Sequence, residues 1–222
     1  MVRVARDTPV IEAARKVGIT IPTLCYHQLL KPYGACRLCV VEVVKGSRRR
    51  LVTSCNYPAE EGIQVFTDTP AVRSSRRLTL ELLLARCPDV AILQKMAKRM
   101  GITAPRFRIR GNKQCILCGL CVRVCDELVG AAAIGLGDRG TNREITTPFN
   151  VPTEACIGCG SCTYICPTGC IEMEKQGDAM AVNMTGHSLM ECRNNYQCST
   201  CEINDDFVQK MKTAFSAFRN NK

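Results

Sequence analysis

Tryptophan is absent from this chain of 222 residues, which also has only six Phe, five Tyr and two His. With His so scarce, and with no serine or carboxylate constellation, the sequence offers no apparatus for transforming a substrate. No apolar run approaches the roughly 20 residues of a membrane-spanning helix, so no membrane span is expected. The opening Met1-Val2-Arg3-Val4-Ala5-Arg6-Asp7 lacks the apolar core of a signal peptide. These absences predict a soluble, cytoplasmic protein in a reducing compartment, with a length that suits one large domain or two to three small ones.

Cysteine is what the chain has in excess, at 17 positions. Such a chain is a disulfide scaffold, a zinc protein or an iron–sulfur protein. An odd count, tight Cys-x-x-Cys clusters and a reducing compartment argue against disulfides. The formal net charge of +10 points to nucleic acid or another anionic partner, but it counts every cysteine as neutral. An oxidised cluster held by four cysteinates carries about −2, so three clusters would bring the chain to roughly +4. Much of the basic excess then balances cofactors, and nucleic acid is not the expected partner.

Residues 8–18 read as a helix with Thr8 as N-cap, Pro9 at the first helical position and Gly18 after the end. Val40–Val44 and Leu51–Thr53 around Lys45-Gly46-Ser47 read as a hairpin, followed by a short strand at Ile63–Phe66. Thr69-Pro70 opens a helix to about Ala85 with Leu78, Leu82 and Leu83 on its apolar side, and Ile92–Met100 reads as another. A last helix is expected near Asn204, with Asp205 and Asp206 in its first turn and Phe207, Val208, Met211, Phe215 and Phe218 on one side. Arg48-Arg49-Arg50 reads as a solvated face, or as a docking surface for an acidic partner.

Cys25-x10-Cys36-x2-Cys39-x15-Cys55 offers four thiolates around a short loop. The Cys-x-x-Cys pair can grip one iron while the outer two reach a second, and Gly34-Ala35 leave room for backbone N–H groups beside the sulfides. Zinc is the competing metal, and His27 reads as a packing neighbour. Further on, Cys115-x2-Cys118-x2-Cys121-x3-Cys125 and Cys156-x2-Cys159-x2-Cys162-x3-Cys166-Pro167 repeat the bacterial two-cluster pattern, in which the fourth cysteine of each run ligates the other cluster. That pattern assigns Cys115, Cys118, Cys121 and Cys166 to [4Fe–4S] cluster A. Cluster B takes Cys125, Cys156, Cys159 and Cys162. Small residues at Gly119, Gly158, Gly160 and Ser161 admit backbone amides to the clusters, and Cys170 reads as a buried thiol.

Ile21-Pro22-Thr23-Leu24-Cys25-Tyr26-His27, Gly34-Ala35-Cys36-Arg37-Leu38-Cys39-Val40-Val41-Glu42-Val43 and Thr53-Ser54-Cys55 resemble the N-terminal region of the complex I 75-kDa subunit. They also resemble [FeFe]-hydrogenases and the diaphorase gamma subunit of NAD-reducing hydrogenases. The stretches Gly137–Gly140 and Thr147–Asn150 carry the likeness further, to nearly residue 175. The resemblance implies an α+β chain: a β-grasp [2Fe–2S] domain at 1–69, a helical connector at 70–105, a two-[4Fe–4S] ferredoxin-like domain at 106–180 and a cysteine-containing tail with a helix at 181–222. Relatives place a strand and turn before the first helix, where this chain has room for only the second strand. In those relatives a segment with one histidine and three cysteines after the connector helix holds a further cluster. Here Cys87 alone represents it, which predicts loss of that cluster and a buried thiol at Cys87.

The resemblance also implies partners: a flavin- and NAD(P)H-reactive subunit, and a second redox subunit such as a hydrogenase, formate dehydrogenase or other low-potential reductase. A free-standing ferredoxin-like carrier is the alternative, and a zinc-stabilised nucleic-acid-binding protein a more distant one. Gly135-Leu136-Gly137-Asp138-Arg139-Gly140 matches a dinucleotide fingerprint but has no βαβ context, and is rejected as an NAD site. In the tail, His187, Cys192, Cys198 and Cys201 could hold an additional [4Fe–4S] cluster or zinc, with Cys170 an alternative ligand.

Overall fold

The computed structural model describes the backbone of residues 1–108, 113–151, 153–176, 179–184 and 187–191, and side chains as far as residue 172. The chain divides into two compact units, Met1–His27 with Lys31–Gly119, and Gln28–Leu30 with Leu120–Lys222.

The first unit begins with α1 (Val10–Lys16). Its N-cap is Pro9 rather than the expected Thr8, whose hydroxyl instead donates to the Ala5 carbonyl at 2.7 Å. The leading amides of α1 are satisfied from elsewhere: Val10 N donates to Tyr57 O at 2.9 Å and Ile11 N to Ser54 O at 3.0 Å. The helix start is thus anchored on the loop that carries Cys55. β1 (Val40–Lys45) pairs antiparallel with β2 (Arg48–Thr53) and with β3 (Gln64–Phe66), giving the order β2-β1-β3. Val10, Ile11 and Ala14 of α1 pack with Ile21, Val41 and Val43, and Cys39 and Cys55 lie within the same core.

α2 (Pro70–Arg86) starts as expected, with Thr69 Oγ1 accepting from Val72 N at 3.3 Å. Its apolar face is not the expected one. Leu78 and Leu82 are 43% and 51% exposed, whereas Val72, Arg76, Leu80 and Leu84 form the buried stripe at four-residue spacing. Two charged side chains, Arg76 and Glu81, lie on the buried side, which hid that face from a reading based on leucines. Glu81 is wholly buried and bracketed by Arg77 at 3.3 Å and Arg106 at 2.7 Å. α3 (Ala91–Arg99) packs on α2.

The second unit starts with α4 (Leu120–Arg123), which runs directly into a π-helical turn at Val124–Val129. β4 (Gly135–Gly137) and β5 (Glu144–Thr146) form a small antiparallel hairpin. This accounts for the glycine-rich stretch: a Cβ on Gly137 would sit 2.6 Å from Thr146 Cγ2, so the glycine serves strand pairing. Only a three-residue 3-10 turn, Gly140–Asn142, follows β4. α5 (Ser161–Ile165) leads into a three-stranded antiparallel sheet of β6 (Ile171–Gln176), β7 (Ala179–Met184) and β8 (His187–Glu191). Sequence reading missed this sheet, and the expected boundary at 180/181 falls inside β7. The helix expected near Asn204 lies outside the described residues. Among the described residues no helix is long and apolar enough to cross a membrane.

Replacing the wholly buried Leu80 by Ala should cost about 2–5 kcal/mol, by lost transfer energy plus a residual cavity. A denaturation midpoint unchanged from the parent chain would show that α2 does not pack as described.

Candidate iron–sulfur centres

Cys25, Cys36, Cys39 and Cys55 are all buried in the first unit. Cys25 and Cys36 come from loops, Cys39 immediately precedes β1, and Cys55 follows β2, so the hairpin brings the last two together. The backbone closes on the sulfurs: Leu24 N donates to Cys36 Sγ at 3.4 Å and Cys36 N to Cys25 Sγ at 3.3 Å. Thr23 Oγ1 lies 3.8 Å from Cys36 Sγ. Ser54 adds a brace, with its N (3.1 Å) and Oγ (2.8 Å) both donating to the Cys39 carbonyl. Gly34 is held at φ +74°, a conformation that favours glycine, and a Cβ there would crowd Asn56 Nδ2 at 3.0 Å.

Hydrogen bonding from Cys25 pushes Cys36 down, and hydrogen bonding from Cys55 pushes Cys39 down. The partners Cys25 and Cys55 are pushed up for the same reason. Cys25 and Cys55 thus hold their protons tightly, and only the charge of a bound metal would draw all four sulfurs into the thiolate form.

In the second unit, Cys125, Cys156, Cys159 and Cys162 line one cavity with Ser161 and a wall of Val129, Ala133, Ile134 and Ile157. Among the described residues its lining has no carboxylate or imidazole. Cys125 comes from the first cysteine run and the other three from the second, which is the crossing that the two-cluster pattern requires. The π-helical turn aims it there. Ala131 and Ala132 N both donate to the Cys125 carbonyl, at 3.1 and 3.3 Å, and Ala133 N reaches Cys125 Sγ at 3.3 Å. Burial pushes the Cys162 thiol up to about 12, reinforced by the charges of Cys159 and Cys156. Cys125 is likewise pushed up, first by burial, with Cys159 contributing. A soft, thiol-only pocket whose members repel one another when ionised suits an iron–sulfur cluster. Among the described residues no three His, Cys, Asp or Glu side chains converge on the position of a single ion. Cluster thiolates need not, because a cubane takes one per iron.

The remaining four ligands expected from sequence divide between the units: Cys115 and Cys118 in the first, Cys121 and Cys166 in the second. Leu117 N donates to Cys115 Sγ at 3.4 Å. Arg86 Nε (3.0 Å) and Cys87 Sγ (3.4 Å) donate to the Cys115 carbonyl, so the buried Cys87 thiol braces that loop. Cys166 Sγ lies 3.6 Å from the buried Cys170, and the contact between the two thiols, with burial second, pushes Cys166 up. Among the tail residues, His187 opens β8, while Cys192, Cys198 and Cys201 lie outside the described residues. Sequence reading gave no role to Thr23, Ser54 or the 131–133 amides, because these side-chain and backbone donors are placed by turns. Arg48–Arg50 are exposed on β2. Arg49 pairs with Glu42 at 3.3 Å and lies over Phe66, and Arg50 lies over Tyr57.

Comparison with known proteins agrees with this geometry. Residues 1–70 match the 2Fe-2S iron-sulfur cluster binding domain, and residues 108–173 match the 4Fe-4S dicluster domain. The chain is therefore an iron–sulfur protein with one [2Fe–2S] domain followed by a domain for two [4Fe–4S] clusters. It is 34% identical over 194 residues to an NADH-quinone oxidoreductase subunit of Rhizobium meliloti, an alignment covering 76% of this chain and 22% of that protein. It is 35% identical over 192 residues to the alpha subunit of the NADPH-Fe(3+) oxidoreductase of Geobacter sulfurreducens, with 76% and 22% covered. An NADP-reducing hydrogenase subunit of Solidesulfovibrio fructosivorans shows 30% identity over 199 residues, with 76% and 34% covered. The chain thus spans only a fifth to a third of these curated relatives. A crystal structure of NAD+-reducing [NiFe]-hydrogenase in the H2-reduced state superposes with a TM-score of 0.63 at 29% identity, covering 84% of both chains.

In the second cavity the Cys159 thiol lies 3.2 Å from Ser161 Oγ, and a thiolate there would accept a hydrogen bond from that hydroxyl. Such a bond favours the more negative, reduced centre. Ser161→Ala should therefore lower one [4Fe–4S] midpoint potential, by roughly 20–65 mV for the about 0.5–1.5 kcal/mol of one hydrogen bond. Redox titration followed by EPR would show the shift, and unchanged potentials would exclude that role for Ser161.

Proposed function

We propose that this chain is the electron-transfer subunit of a cytoplasmic, multisubunit oxidoreductase, relaying single electrons between a flavin- and NAD(P)H-reactive subunit and a second redox subunit. The second subunit would be a hydrogenase, a formate dehydrogenase or another low-potential reductase. The observation that carries this reading is the cavity that joins Cys125 to Cys156, Cys159 and Cys162, in a chain that also matches a [2Fe–2S] domain. The relatives' names, as NADH-, NADPH- and NADP-linked oxidoreductase or hydrogenase subunits, support the choice of partners.

In this reading Cys25, Cys36, Cys39 and Cys55 hold the [2Fe–2S] centre in a β-grasp domain. Cys115, Cys118, Cys121 and Cys166 hold cluster A, and Cys125, Cys156, Cys159 and Cys162 hold cluster B. When bound, these centres supply one-electron carriers. The protein's part is to fix their positions, to exclude water and to direct N–H and O–H groups at the sulfurs. His187, Cys192, Cys198 and Cys201 are kept as a candidate additional [4Fe–4S] or zinc site.

Anaerobic isolation should yield about ten irons per chain from one [2Fe–2S] and two [4Fe–4S] centres, together with a flavoprotein partner identifiable by mass spectrometry. A brown monomer that never co-purifies with a flavoprotein would favour a free-standing ferredoxin-like carrier. Colourless material with little iron and acid-labile sulfide would end the reading altogether. Separately, Cys36→Ser should remove the [2Fe–2S] EPR signal and leave the cubane signals, and survival of an unaltered [2Fe–2S] signal would refute the ligand set.

A further inference from the structure

Three of the four arginines on α2, those in its first two turns, meet different fates. Arg73 is exposed and pairs with Asp68 at 3.5 Å. Arg77 pairs with Glu81 at 3.3 Å and donates to the Met100 carbonyl at 3.4 Å. Arg76 turns inward: it is 9% exposed, and its Nε and Nη2 both donate to the Val40 carbonyl, at 3.1 and 2.7 Å. It forms no ion pair among the described residues. Val40 follows Cys39 directly, and β3 covers β1 only over Glu42–Val44, so this end of β1 is held by the guanidinium instead.

Taking a guanidinium out of water costs several kcal/mol unless an opposite charge offsets it, and a carbonyl supplies only a dipole. The same helix shows the usual remedy, since buried Glu81 has two arginines against it. Among the described residues Arg76 has no carboxylate in contact. Burial presses its guanidinium toward the neutral form, and the charges acting against that are Asp68 and the Cys39 sulfur.

We propose that Arg76 is the built-in counter-charge of the [2Fe–2S] centre, a positioning residue that raises the centre's reduction potential. This rests on Cys25, Cys36, Cys39 and Cys55 being that centre's ligands. Reduction adds one electron from the donor subunit, makes the centre more negative by one charge, and breaks no bond. Arginine stays protonated throughout, so no proton moves, and its attraction is larger for the reduced state. Charge and burial are both recognised levers on such potentials.

The test is EPR-monitored redox titration of the intact holoprotein. Arg76→Gln should shift the one-electron equilibrium of the [2Fe–2S] centre about tenfold toward the oxidised form, or about 59 mV lower, leaving the cubane potentials in place. Arg76→Lys, which keeps the charge, should stay within about threefold of the parent. Arg73→Gln, which removes an equal charge from the exposed side of α2, should shift it less than about twofold. An Arg76→Gln potential indistinguishable from the parent overturns the proposal. If Arg76→Gln cannot hold its clusters, Arg76→Lys decides. Retention of the signal at the parent potential supports a counter-charge, and loss of the signal in both variants assigns Arg76 to structure alone and overturns it. Absence of a [2Fe–2S] signal from the parent protein would instead sink the ligand set.

Discussion

Sulfur donors gathered in one place repel one another as soon as they ionise, and both units gather them: Cys25, Cys36, Cys39 and Cys55 buried in the first, Cys125, Cys156 and Cys162 partly buried and Cys159 exposed in the second. In the first, two thiols are pushed down and their two partners up by the hydrogen bonds between them. In the second, burial and neighbouring thiolates push Cys125 and Cys162 up. Neither arrangement is a resting place for four negative charges. Bound iron would supply the compensating charge, and the surrounding N–H and O–H groups would supply what remains.

That constraint explains why so much of the fold is spent on holding loops. The start of α1 is anchored on Ser54 and Tyr57, on either side of Cys55. Ser54 clamps the Cys39 carbonyl twice. The end of α2 grips the Cys115 loop through Arg86 and Cys87, while its middle grips Val40 through Arg76. A π-helical turn, a form often found at functional sites, swings Cys125 toward the second cysteine run. Cysteine itself contributes to the hydrophobic core, since Cys39 and Cys55 pack with Ile11, Val41 and Val43. Core packing and the proposed [2Fe–2S] site thus share residues.

Basic residues take on several distinct tasks within this frame. Arg49 and Arg50 lie over Phe66 and Tyr57, so part of the Arg48–Arg50 run is committed to the surface of its own sheet. Arg77 and Arg106 neutralise a buried glutamate. Arg76 enters the interior with no carboxylate in contact among the described residues. Part of the formal charge of +10 is thus engaged within the fold itself.

Cysteine spacing by itself determined the class of cofactor and the number of cluster domains. The reason is that ligand type and short-range spacing are covalent properties of the chain. The hairpin of β1 and β2 was equally legible, because apolar, β-branched runs on either side of Lys45-Gly46-Ser47 admit few other structures. Tertiary structure alone decided which face of α2 is buried, since Arg76 and Glu81 are acceptable inside only where a carbonyl or two arginines await them. It alone decided that Gly135–Gly137 pairs with Glu144–Thr146 in a hairpin, and that β6, β7 and β8 form a third sheet. Such outcomes depend on partners distant in sequence, whose contacts no local pattern encodes.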